Sequence, residues 1–178
     1  IKYIETNKIQ EVLESITHPI TKDFVTVQLL TGLRGGELLA LTPDDIDIKN
    51  KTLRVNKTKH TSGTVTAPKT LSSVRTIEID NFTLNILMNY MSANETIFNT
   101  NMNNLSYYLK KINVSTHTFR HTHVALLIES GVPIKVISER LGHSDINTTL
   151  NIYTHVTANM KLDLRSKLDK LCADITQI

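Results

Sequence analysis

Between positions 115 and 156 the sequence reads STHTFRHTHVALLIESGVPIKVISERLGHSDINTTLNIYTHV, and it carries His117, Arg120, His143 and Tyr153. No short-range structural need explains that set of residue types. Arginine offers a planar fork of donors that matches phosphate oxygens. Histidine can donate or shuttle a proton near neutral pH, and a tyrosine hydroxyl is a nucleophile once its proton is helped away. Residues 31–41, TGLRGGELLAL, add Arg34, with Glu37 one helical turn on and able to hold its guanidinium. Together these residues suit chemistry on one phosphate.

Each also has an ordinary structural use. Arg34 follows a glycine helix stop and could satisfy helix C-terminal carbonyls. His143 follows Leu141-Gly142, a common helix ending. A helical tyrosine is often a packing residue with its hydroxyl at the surface. His117 and His121 stand at i, i+4, which is also a metal spacing. The glutamate of the zinc-protease motif is missing between them, and Arg120 would repel a cation, so no metal is expected. His121 and His123 are read as buried or hydrogen-bonding helix residues. Order and spacing favour the phosphate site: Arg34, Lys69 at a β-turn, His-x-x-Arg, Gly-His, then Tyr153 ten residues further on.

The elements that must position these residues follow from periodicity and punctuation. Ile9, Val12, Leu13 and Ile16 recur at helical spacing, and Pro19 opens a second helix that Gly32 ends. A short helix follows over 37–41. Residues 46–48, 52–56 and 74–79 then alternate apolar and polar side chains and are rich in β-branched types, which predicts an antiparallel three-stranded sheet. The link over 57–73, with Gly63 and Pro68, is expected to be a flexible excursion. Helical spacing returns with Leu84, Leu87, Met88 and Met91, and again with Leu105, Tyr108, Leu109 and Ile112. Ser115 or Thr116 can cap a helix starting near His117, whose first turn would favour an anion. Pro133 and Gly142 bracket the next helix, and Asp145 or Asn147 can cap the one bearing Tyr153. An apolar stripe over 160–175 needs a partner surface, in this protomer or a neighbour. The expected fold is mainly α, with the small antiparallel three-stranded sheet at its edge.

The chain has 178 residues, 40% of them hydrophobic, which suits one domain with a sizeable core, expected over 1–178 with a tail at 158–178. It opens with Ile rather than Met and looks like a domain cut from a longer protein, with a further domain expected before it. No apolar run is long enough to span a bilayer and no signal-peptide pattern is present, so no membrane association and a cytoplasmic address are expected. Cys172 is the single cysteine, which excludes an internal disulfide. Net charge is only +3, but residues 49–75 hold seven Lys or Arg and no acid, and residues 96–128 are again acid-free. Two such segments point to a polyanionic partner, with Lys57, Lys59, Arg75, Lys110 and Lys111 as candidate contacts to a phosphate backbone.

Three segments resemble the catalytic domain of the tyrosine recombinase (phage-type integrase) family. TGLRGGELLAL resembles its first arginine box, APKTLSSVRTIEI the strand pair with its catalytic lysine, and the stretch from His117 to Val156 its second box, complete to the nucleophile. The resemblance covers nearly the whole chain. It implies that Arg34 and Arg120 clamp a scissile DNA phosphate, that Lys69 is the general acid, that His117 and His143 assist, and that Tyr153 attacks to form a 3′-phosphotyrosyl link. It also implies the DNA breaking-rejoining fold, a specific double-stranded DNA site and an N-terminal DNA-binding domain ahead of this one. A tetramer on that DNA, accessory DNA-bending or directionality proteins, and a prokaryotic or phage-encoded, nucleoid-associated enzyme are further implications. No cofactor is expected, because the ester keeps the bond energy for rejoining. Gly35 stands where a larger residue is usual and Pro43 where an aromatic is common. Three other readings stay open: a DNA-binding module with vestigial catalysis, a type IB topoisomerase relative, and a His-metal hydrolase.

Overall fold

Pro19 and Gly32 bracket the helix on which the molecule is built. The computed structural model describes residues 2–68, 73–91, 95–143, 145–160 and 172–173. After a 3-10 turn at Thr6–Lys8, α1 spans Ile9–Glu14 and α2 spans Pro19–Thr31. His18 caps α2 by accepting from the Thr21 N–H, and proline sits in the first turn, where its missing N–H costs nothing. Gly32 ends α2 at φ +71°, a left-handed conformation that favours glycine. A Cβ there would also collide with the ring of His123. The turn therefore stays tight, and α3, Gly35–Ala40, begins at once.

The sheet forms as its alternation predicts. Strands β1 (Ile46–Asp47), β2 (Thr52–Val55) and β5 (Arg75–Glu78) lie in the order β1-β2-β5, all antiparallel. Leu53 pairs with Ile46 and Ile77, so one face of the sheet is apolar and buried. The link expected to be a flexible excursion is ordered in part. It forms a second antiparallel pair, β3 (Thr58–Lys59) and β4 (Val65–Thr66). Gly63, at φ +89°, donates its N–H to the His60 carbonyl at 2.9 Å and closes the turn. β3 runs along α3 so closely that a Cβ on Gly36 would lie 2.9 Å from the Lys59 carbonyl oxygen.

The remaining helices are α4 (Asn81–Asn89), α5 (Met102–Lys110), α6 (Thr116–Glu129), α7 (Ile134–Leu141) and α8 (Asn147–Met160). Asp80, Asn101 and Ser115 cap α4, α5 and α6 through their side chains. Gly142 ends α7 at φ +62°.

Two apolar clusters hold the helices. The larger packs α2, α3, the three-stranded sheet, α4 and α5 around Phe24, Leu33, Leu38, Leu53, Phe98 and Phe119. Phe24 and Phe98 meet edge to face at 5.3 Å. The smaller joins α6, α7 and α8 through Val124, Ile128, Ile137, Leu141, Ile152 and Val156. α6 belongs to both clusters and carries the seam between them. Among the described residues no helix is long and apolar enough to cross a membrane. The expected apolar stripe over 160–175 lies almost wholly outside the described residues.

Candidate active site

At that seam a cavity of about 210 Å³ is lined by Arg34, His117, Arg120, His121, Val124, His143 and Ile152. The chain brings them from four places: the α2–α3 junction, α6, the residue after the Gly142 stop of α7, and α8. His117 lies in the first turn of α6, while Arg120 is one turn further in. Ser115 and Thr118 cap each other at the start of that helix.

Beneath the cavity lies Glu37, 6% exposed. Its carboxylate accepts from Arg34 Nη1 and from the Arg34 backbone N–H, both at 2.8 Å. Arg75 adds two bonds, Nη1 at 3.1 Å and Nη2 at 3.0 Å, and Arg120 Nη1 stands 3.9 Å away. Burial alone would raise the Glu37 carboxyl, but the Arg75 hydrogen bonds and charge, with help from Arg34, hold it below the usual carboxylate range. Glu37 is therefore an anion at neutral pH. One carboxylate among three guanidiniums leaves two positive charges uncompensated within the cluster.

The arginines are also tied to backbone. Arg120 donates to the Gly32 carbonyl and, at 2.9 Å, to the Leu141 carbonyl. Arg34 reaches the Leu141 and Gly142 carbonyls at 3.5 and 3.4 Å. These acceptors are the ends of α2 and α7, where helix carbonyls lack intrahelical donors. Burial, reinforced by the nearby Arg34 charge, lowers the Arg120 pKa to about 9, so it remains charged at neutral pH.

His143 has one partner on each ring nitrogen. Nε2 lies 2.9 Å from Arg120 Nη2, and Nδ1 lies 2.8 Å from the hydroxyl of the fully buried Thr149. Burial first, then the charges of Arg120, Arg34 and Arg75, push its pKa down to about 4. The ring is therefore neutral. Because a guanidinium can only donate, Nε2 accepts and Nδ1–H donates to Thr149. Sequence reasoning did not single out Thr149. Its only signal is a hydroxyl six residues after the histidine in a polar run.

The other expected site residues fall as follows. Tyr153 is on α8, next to the cavity-lining Ile152, and is 41% exposed. Lys69 lies outside the described residues. His121, read from sequence as a buried or hydrogen-bonding helix residue, is half-buried with Nδ1 3.4 Å from the Lys2 carbonyl, and it also lines the cavity. His123 is buried, with Nδ1 2.7 Å from the Leu29 carbonyl. A second cavity of about 320 Å³ opens on the other side of Arg34, lined in part by Glu37, Lys57, Thr58, Thr66, Pro68 and Ser73. Among the described residues, no group of three or more His, Cys, Asp or Glu is arranged to hold a metal ion.

Two of the expected DNA contacts, Arg75 and Lys57, are engaged by acids of the protein itself. The Arg75 side chain is 8% exposed and is bound to Glu37, to the Ser73 carbonyl at 3.1 Å and to the Arg140 carbonyl at 2.6 Å. It faces the protein because the alternation of β5 turns it inward, over a carboxylate 38 residues away in sequence. Lys57 is held by the buried Asp45 at 2.6 Å and by the Thr42 hydroxyl at 3.1 Å. Lys110 is exposed, and Lys111 is exposed with its ammonium 4.4 Å from the ring centre of Tyr107. Lys59 is half-buried on β3.

Comparison with known proteins places this arrangement among relatives. The model of the Phage integrase family matches residues 2–160. The chain is 39% identical over 180 residues to the integrase of Staphylococcus phage L54a, covering 83% of this chain and 51% of that protein. It is 34% identical over 179 residues to the ICEBs1 integrase of Bacillus subtilis (strain 168), covering 84% and 49%. The chain thus spans about half the length of the curated relatives it matches. Among solved structures, the Tn1549 transposon integrase in complex with circular intermediate DNA superposes with a TM-score of 0.75 at 23% identity, over 95% of this chain and 66% of that one. The catalytic domain of bacteriophage HP1 integrase superposes at 0.65 and 20% identity, over 93% and 94%. These likenesses show the fold.

Proposed function

The chain belongs to the phage integrase family, and on that premise we propose that it cleaves and rejoins DNA strands through a 3′-phosphotyrosyl intermediate on Tyr153. The observation that carries this reading is the convergence of Arg34, His117, Arg120 and His143 on one cavity over a cluster with two excess positive charges.

Arg34 and Arg120 hold the non-bridging oxygens of the scissile phosphate, where charge grows as the phosphorus is attacked. Glu37 holds Arg34 by a hydrogen bond and sets its charge beside Arg120. The Tyr153 oxygen forms a bond to phosphorus, the bond from phosphorus to the 5′-oxygen breaks, and the phenolic proton passes to solvent water, to which Tyr153 is exposed. Lys69 gives a proton to the leaving 5′-oxygen. His117 donates to the phosphate. His143 begins neutral with Nε2 accepting from Arg120, so Nε2 becomes a donor to the phosphate only by gaining a proton, which the arriving phosphate charge favours. Rejoining is the reverse attack by a 5′-hydroxyl, and the phosphotyrosyl ester retains the energy for it.

The partner is double-stranded DNA with a specific recombination site. Lys59, Lys110 and Lys111 grip its backbone, and contacts of that kind hold without reading sequence. Four copies assemble on the DNA, with accessory DNA-bending or directionality proteins, to integrate or excise a mobile element in the cytoplasm, at the nucleoid of a prokaryotic cell.

The test is covalent capture from a library of nicked duplexes of randomised sequence. The chain is expected to yield a detergent-resistant adduct with a selected duplex, and Tyr153→Phe none. A Tyr153→Phe adduct of equal yield would sink the assignment.

A further inference from the structure

Arg75 lines neither cavity, yet its guanidinium is engaged at every nitrogen by Glu37, Arg140 and Ser73. Its fork meets both oxygens of Glu37, at 3.1 and 3.0 Å, in the paired geometry that is strongest between guanidinium and carboxylate. Its Nε donates to the Arg140 carbonyl at 2.6 Å, and its Nη1 also donates to the Ser73 carbonyl at 3.1 Å.

Both connections lead to the cavity. Glu37 carries Arg34 on the same oxygen that accepts Arg75 Nη1. Arg140 precedes Leu141 and Gly142, whose carbonyls hold Arg120 and Arg34. Arg75 thus fixes the plane of the carboxylate and the end of α7, the two supports on which the clamp arginines rest. Without it, a buried carboxylate would lose its bidentate partner and draw Arg34 and Arg120 more tightly, turning their N–H groups from the cavity.

We propose that Arg75 is a positioning residue for the phosphate site: from the edge strand β5 it saturates Glu37 and anchors the end of α7, so that Arg34 and Arg120 present donors to a phosphate. It touches no reacting atom. This rests on the proposed role of Arg34 and Arg120 as a phosphate clamp.

Inorganic sulfate is the probe, because it tests the clamp without requiring cleavage. Its binding is followed by the Nε–H resonances of Arg34 and Arg120 in the full chain, for the parent, Arg75→Lys, Glu37→Gln and the double variant. Arg75→Lys keeps the charge but loses the fork. We expect it to weaken sulfate about tenfold, the scale of one charge-assisted hydrogen bond, while the native spectrum is retained. The double variant should be no weaker than the worse single variant, because both changes act through one carboxylate. Unchanged affinity in Arg75→Lys, additive losses in the double variant, or loss of the native spectrum in Arg75→Lys would each overturn the inference. A parent chain that binds no sulfate at these two arginines would instead overturn the phosphate-clamp reading beneath it.

Discussion

The two halves of the site are built differently. On one side, Arg34, Glu37, Arg75 and Arg120 are linked to one another and to the ends of α2 and α7, over the larger apolar cluster. On the other, Tyr153 stands 41% exposed on α8, which contributes Ile152 and Val156 to the smaller cluster. Burial of those two side chains stabilises the docking of α8 by about 3–6 kcal/mol at most. The proposed anion site is a linked, buried frame, whereas the proposed nucleophile stands apart from it, exposed on α8. A phosphate can therefore be bound in a fixed frame while the hydroxyl is delivered separately. Electrostatic stabilisation needs donors that do not reorganise during reaction, whereas a nucleophile must approach and withdraw.

The comparison breaks first at Glu37. Glu37→Gln leaves three guanidiniums without their shared counter-charge and should cost about 3–5 kcal/mol of stability, read from denaturant unfolding. A cost below about 1 kcal/mol would mean that the cluster is not a structural frame. Arg34→Ala comes next, with single-turnover cleavage of the captured duplex expected to fall about 10²- to 10³-fold, near 3–4 kcal/mol. A loss of binding alone, with cleavage intact at saturation, would make Arg34 a grip and not a clamp.

Acid should loosen the frame side. Burial first, then the Arg140 charge, lowers the buried His123 to about 4 from its ordinary 6.5. Its unfolded form therefore binds more protons between those values, and stability falls as pH drops from 6.5 to about 4. This single group accounts for up to about 3 kcal/mol. Glu37, held below its ordinary value, adds a loss in the same direction as pH falls through its folded pKa. Unfolding curves from pH 7 to 4 check this, and His123→Gln should flatten the upper part of the decline. The smallest effect is at Thr149. Thr149→Val removes the acceptor of His143 Nδ1–H and should cost about 1–2 kcal/mol in cleavage, with an altered pH–rate profile, and Thr149→Ser should restore both.

Much of this was legible in the sequence, for local reasons. Pro19 with Gly32, and Pro133 with Gly142, punctuate α2 and α7 whatever lies around them, and alternation from residue 46 to 79 predicts the three-stranded sheet. The β3–β4 pair was not legible. Thr58, Lys59, Val65 and Thr66 show no buried alternation, and the pair rests on α3 at Gly36, more than 20 residues away in sequence. Within the site, Arg34 and the His-x-x-Arg, Gly-His and Tyr spacing were visible because each sits beside its own helix signal. Arg75 and Lys57 looked like free cations because their acids, Glu37 and Asp45, are supplied by tertiary packing. Charge patterning along a chain cannot tell a solvated cation from one turned onto a distant carboxylate.

The central proposal is that a fixed anion site serves one exposed nucleophile, Tyr153. The chain has five tyrosines, Tyr3, Tyr90, Tyr107, Tyr108 and Tyr153. Protease digestion of the covalent DNA adduct, followed by mass spectrometry of the nucleotide-bearing peptide, identifies the attacking residue directly. The account predicts a phosphodiester on Tyr153 alone, while a nucleotide on any other side chain would contradict it.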